Sequence, residues 1–103
     1  MHKYNVGDLL EPDWEAIELD QDEDGCTYSV CSGDVYEMLE PDAQYYVIRQ
    51  GRTRDIDTYD IAFDADAEYA DWSIEERYLR LVEPITPIKK AKQDLWRHLC
   101  QKA

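Results

Sequence analysis

The stretch Asp71-Trp-Ser-Ile-Glu-Glu-Arg-Tyr-Leu-Arg-Leu-Val-Glu-Pro84 constrains the fold most, because it reads as a turn, a helical turn and a strand in immediate succession. Ser73 and Glu76 stand at capping-box spacing, which lets a hydroxyl and a carboxylate satisfy the free amides of a helix start. From Tyr78 to Val82 the pattern has period two, with Leu79 and Leu81 on one side and Tyr78, Arg80 and Val82 on the other. The chain before this stretch reads as β-structure. The chain beyond Pro84 reads as one helix.

Upstream, Tyr4–Leu10 predicts a first strand bent at Gly7-Asp8 and ended by Glu11-Pro-Asp13. Residues 14–20 alternate loosely, with Ile17 and Leu19 on one side. Asp24-Gly25 is the strongest short hairpin signal in the chain, and Cys26–Val30 is the expected partner strand. Turns come next at Ser32-Gly-Asp34 and at Glu40-Pro-Asp-Ala43; between them Val35–Leu39 fits either a strand or a helical turn. Gln44–Arg49 is rich in β-branched and aromatic residues and predicts a strand. Gln50–Arg54 reads as a basic loop. Asp55–Asp64 alternates cleanly, with Tyr59, Ile61 and Phe63 opposite Asp60, Ala62 and Asp64. Thr86-Pro87 starts a helix over 87–101, where Ile88, Ala91, Leu95 and Leu99 recur at helical spacing.

Five or six short strands with turns every 8–12 residues predict a mainly β fold, a small antiparallel barrel carrying one C-terminal α-helix. Residues 1–84 would form the acidic barrel, and residues 85–103 the amphipathic basic helix packed on it. At 103 residues the chain is long enough for one core. Eight Tyr and three Trp against one Phe argue for a folded body with amphipathic aromatics rather than an acidic disordered tail.

Charge is the strongest compositional signal. Residues 1–88 hold 23 acids and six bases, a net of −17, while residues 89–103 hold five bases against Asp94, a net of +4. Direct nucleic-acid binding by the body is disfavoured, because phosphate contacts need a basic face. Attraction to a basic partner is favoured, although acidity also serves solubility alone. No apolar run approaches membrane-spanning length, and the three cysteines show neither zinc-ligand spacing nor an even count. Reduced thiols in a cytoplasm are the expectation.

The opening Tyr4-Asn-Val-Gly-Asp-Leu-Leu10 and the closing Trp72-Ser-Ile-Glu-Glu-Arg-Tyr-Leu-Arg-Leu-Val82 resemble the small Src-homology-3-like barrel proteins of bacteriophages. In that family a Val-Gly-Asp bend marks the first strand, and a Trp-x-x-Glu-x-x-Leu segment forms the helical turn before the last. The resemblance implies a small interaction module without a specific activity; the C-terminal helix is an addition to the pattern.

Several clusters invite chemistry. Asp20-x-Asp22-x-Asp24-Gly25 matches the first half of a calcium loop, but Cys31 stands where the last ligand should be Glu. Asp55, Asp57, Asp60, Asp64, Asp66 and Glu68 could supply a magnesium site or an acid–base pair, yet they alternate with apolar residues and so face solvent. No nucleophile triad or phosphate loop is present. One acidic strand repeats its carboxylates every ~6.7 Å, about half the density of DNA phosphates at roughly 3.4 Å per strand. A ladder of Asp60, Asp64, Asp66 and Glu68 would therefore need a second, from Glu18, Asp20, Asp22 and Asp24, to imitate a nucleic acid.

The expected function is that of a non-enzymatic acidic interaction protein, phage or mobile-element encoded. It would block a basic, nucleic-acid-binding surface of a host protein, as anti-restriction and anti-CRISPR inhibitors do. Trp72 and the eight carboxylates of the two ladders form the expected partner surface, with no cofactor, metal, membrane or direct nucleic-acid contact. Two alternatives stand beside it: a peptide- or protein-binding barrel in phage replication or assembly, and a metal-dependent hydrolase.

Overall fold

The structure is a computed structural model that describes residues 2–31, 33–86 and the single position Leu95. The helix expected over 87–101 otherwise lies outside the described residues. The fold is mainly β: five strands form one antiparallel sheet, with short helices against it. The strands are β1 (Leu9–Pro12), β2 (Tyr45–Thr53), β3 (Ile56–Ala62), β4 (Trp72–Glu75) and β5 (Leu79–Glu83), in the order β4-β3-β2-β1-β5. A 3₁₀ turn, Glu76–Tyr78, links β4 to β5. No pairing joins these two outer strands among the described residues, so the expected barrel is an open sheet.

The β2–β3 hairpin is the longest ladder, running from Tyr46↔Ala62 to Thr53↔Ile56. The expected basic loop at residues 50–54 is mostly strand instead. Cross-strand neighbours Arg49↔Asp60 and Arg52↔Asp57 hold opposite charges in register, which favours pairing over a loop. The tight turn falls at Arg54-Asp55, whose φ values of 51° and 65° are both left-handed, the geometry of two-residue hairpins. Asp24-Gly25 forms no hairpin. There Asp22 Oδ1 accepts the amides of Asp24 (2.9 Å) and Cys26 (3.0 Å), closing a local turn, and the 26–31 segment pairs only through the Tyr28↔Asp34 bridge.

Residues 14–20 also depart from expectation, since Trp14–Leu19 is a helix, α1. Asp13 caps it, its side chain accepting the Ala16 amide at 3.2 Å. Ile17 is fully buried while Leu19 is 85% exposed, so the two do not share a side. Val35–Met38 resolves the open alternative as a second short helix, α2, capped by Asp34. Ile17, Val35 and Leu39 pack with Leu10, Tyr45, Val47, Tyr59, Ile61, Ile74, Tyr78 and Leu79 into one core. Its tyrosines also use their hydroxyls. Tyr59 donates to Glu76 and accepts the Tyr4 amide, Tyr78 donates to Asp20, and Tyr45 accepts the Glu40 amide.

The capping box does not form. Ser73 lies in β4 and donates to Asp60, whereas Glu76 accepts from the Lys3 amide and from Tyr59. Strand pairing of Trp72–Glu75 with β3 pushes the helical turn to the next three residues.

Candidate functional site: an acidic groove beside Trp72

A groove of about 530 Å³ lies between the start of β4 and the segment around α2. Ala70, Asp71, Trp72 and Ser73 form one wall; Cys31, Gly33, Asp34, Glu37 and Met38 form the other. Two regions some 35 residues apart in sequence therefore meet around one half-exposed indole. Among the described residues, three carboxylates and no cationic side chain line the space.

The walls are held by carboxylates as well. Glu75, fully buried at the end of β4, accepts Ser29 Oγ at 2.7 Å and the Val30 amide at 3.0 Å. Ser29 Oγ in turn accepts the Cys31 amide at 3.1 Å. One buried carboxylate thus ties the strand bearing Trp72 to the chain that forms the facing wall. Its charge is balanced in part by Arg77, whose guanidinium lies 3.6 Å away. Asp34 Oδ1 accepts the amides of Tyr36 at 3.1 Å and Thr27 at 3.3 Å. Asp71 Oδ2 accepts the Phe63 amide at 3.1 Å, fixing that carboxylate where the β3–β4 loop re-enters the sheet.

The expected site residues divide into those the fold gathers and those it disperses. Trp72 is 38% exposed and lines the groove. Asp60 is already engaged, by Arg49 Nε at 3.0 Å and by Ser73. Asp64, Asp66 and Glu68 sit in the irregular loop after β3, where Asp64 Oδ1 accepts the Asp66 amide at 3.0 Å. Glu18 lies on α1, Asp20 ends that helix and bonds Tyr78, and Asp22 and Asp24 belong to the turn beyond. Only Asp60 of the two expected ladders lies on a strand, so the ~6.7 Å repeat is not realised. The turn chemistry of Asp64 and Asp22 breaks the period that the residue types suggest.

Asp34, Glu37, Met38 and Asp71 are the groove residues that sequence reasoning leaves out. The open strand-or-helix alternative at 35–39 is the available signal: a helix there turns Glu37 and Met38 toward a common space.

Among the described residues, no group of three or more His, Cys, Asp or Glu is arranged to hold a metal ion. Desolvation and the nearby Asp34 and Asp22 carboxylates push the Cys26 thiol up, away from a reactive thiolate. Burial, then the hydrogen bonds to Glu76 and Asp20, push the phenols of Tyr59 and Tyr78 well up, so both stay neutral hydrogen-bond donors. No helix among the described residues is long and apolar enough to cross a membrane. Comparison with family models, with curated proteins and with solved structures finds no match.

Proposed function

We propose that this protein is a non-enzymatic acidic interaction protein that binds a basic surface of a protein partner through the groove beside Trp72. The observation that carries this reading is the lining of that groove: an exposed indole and three carboxylates, with no cation among the described residues. Four of the arginines among the described residues are already held by acids. Arg49, Arg52, Arg77 and Arg80 each lie against a carboxylate, Asp60, Asp57, Asp20 and Glu11 respectively. Fixed carboxylates in a concave site focus potential and speed encounter with a basic partner.

A Src-homology-3-like architecture, opened rather than closed, belongs to the same proposal. Two features support it: the bend at Asn5–Asp8, closed by Asp8 Oδ2 on the Asn5 amide, and the 3₁₀ turn just before β5. Phage or mobile-element origin, with a host nucleic-acid-binding protein as target, is the biological setting this reading carries. Imitation of a nucleic acid by paired strand ladders is not part of it, because of the eight carboxylates only Asp60 lies on a strand, and the rest lie on a helix, in turns and in a loop.

The test is capture from bacterial lysate by the tagged full chain at low and high salt. Wild type is compared with the Glu37→Gln/Asp71→Asn variant. Retention of a basic protein that falls with salt and with the variant is the expected result. Capture indifferent to both defeats the proposal.

A further inference from the structure

We infer that the group the groove receives is an arginine side chain, presented by an extended or looped basic segment of the partner; this rests on the groove reading above. Three observations lead to arginine. The first is shape: the cavity of about 530 Å³ is bounded on one side by Trp72, an indole left 38% exposed at the end of an edge strand. A planar guanidinium stacks on such a ring and is weakly hydrated, whereas a lysine ammonium is compact and holds its water.

The second is the disposition of acceptors. Asp71 adjoins Trp72 in the chain, and Asp34 and Glu37 face it from the other wall. Asp71 is fixed by the Phe63 amide on Oδ2, and Asp34 by the amides of both Tyr36 and Thr27 on Oδ1. Acceptors already held in place spend little ordering entropy on binding, and a forked donor reaches two of them where a point charge reaches one. The third is the absence of an internal occupant: no cationic side chain of the described residues lines the groove. The same lining disfavours an anionic ligand, which would meet three like charges.

The experiment uses the full chain and three synthetic nonapeptides of Gly and Ser bearing two central arginines, two lysines or two citrullines. Citrulline keeps the planar shape and removes the charge. Binding is followed by NMR through the Trp72 indole N–H and the Gly33 and Glu37 amides. The arginine peptide is expected to shift all three and to bind about tenfold more tightly than the lysine peptide. Citrulline is expected to leave them unmoved, and Trp72→Ala to remove the response of Gly33 and Glu37. Equal binding of arginine and lysine overturns the arginine assignment but leaves a basic partner standing. Silence from all three peptides, while a basic protein is still captured through Glu37 and Asp71, overturns the arginine assignment alone. Silence together with capture indifferent to those carboxylates overturns the groove reading and, with it, this inference.

Discussion

The sheet and the segment from Asp13 to Gln44 solve the same problem by different means. In the sheet, amides are satisfied by strand ladders, the longest between β2 and β3. The intervening segment has two short helices and one isolated bridge, so much of its backbone bonds to side chains. Asp13 caps α1, Asp22 closes a turn, Asp34 caps α2, and Glu75 reaches from the sheet to hold Ser29 and Val30. The difference shows a structural role for acidity: these carboxylates are acceptors for a poorly laddered backbone. Under the proposed function, others are left at the surface for a partner.

The sharpest way to break that division is to remove the acceptor that joins the two regions. Glu75→Ala leaves the Ser29 hydroxyl and the Val30 amide without their partner, and is expected to cost about 3–4 kcal/mol in urea unfolding. Near-wild-type stability would show that the segment holds itself. Ile17→Ala comes next at about 3 kcal/mol, since α1 contributes this fully buried side chain to the core. Leu19→Ala is expected to stay within ~0.5 kcal/mol. Equal effects from the two would favour the strand that the alternating pattern predicts.

Tyr59→Phe tests the sheet side, where one hydroxyl serves both Glu76 and the Tyr4 amide; it is expected to cost about 1–2 kcal/mol. The same hydroxyl gives a pH dependence. Its folded-state pKa lies above the ordinary value of 10.0, as do those of Tyr78 and Tyr45. The stabilisation is therefore complete below that ordinary value and is lost as pH rises beyond it, because the unfolded chain ionises first. Thermal unfolding is expected to shift downward above about pH 10, less steeply in Tyr59→Phe. A smaller effect of opposite sign belongs to the β2–β3 turn. Arg54→Asn with Asp55→Gly places residues suited to left-handed φ where 51° and 65° are required, and is expected to stabilise by about 1 kcal/mol.

These elements also mark how far the fold is legible in the sequence. Strands β2, β3 and β5 are legible from period-two or β-branched patterns, but packing follows the period only in part: Tyr59, Ile61 and Leu79 are buried, whereas Phe63 and Leu81 are exposed and Ala62, on the opposite face of β3, is buried. The hairpin turn escapes notice because Asp24-Gly25 carries the preferred turn residues, while Arg54-Asp55 is imposed by the flanking ladder despite its strain. At residues 14–19, the Asp13 cap and the burial of Ile17 outweigh an alternation that six residues are too few to establish. At Ser73–Glu76, pairing with β3 takes the chain that the capping box would have made helical. For the site, Trp72 and the abundance of acid are legible as residue types. The facing wall is not, because it depends on a tertiary contact, Glu75 to Ser29–Val30, spanning some 45 residues.

The central claim is that position, not total charge, makes the groove the binding surface. Two variants that each remove two negative charges decide it: Glu37→Gln/Asp71→Asn in the groove, and Asp64→Asn/Asp66→Asn in the neighbouring loop. Affinity for the captured basic partner at fixed salt is the quantity to measure. The groove pair is expected to weaken binding about tenfold or more, and the loop pair less than about threefold. Equal losses would show a diffuse acidic surface and contradict the account.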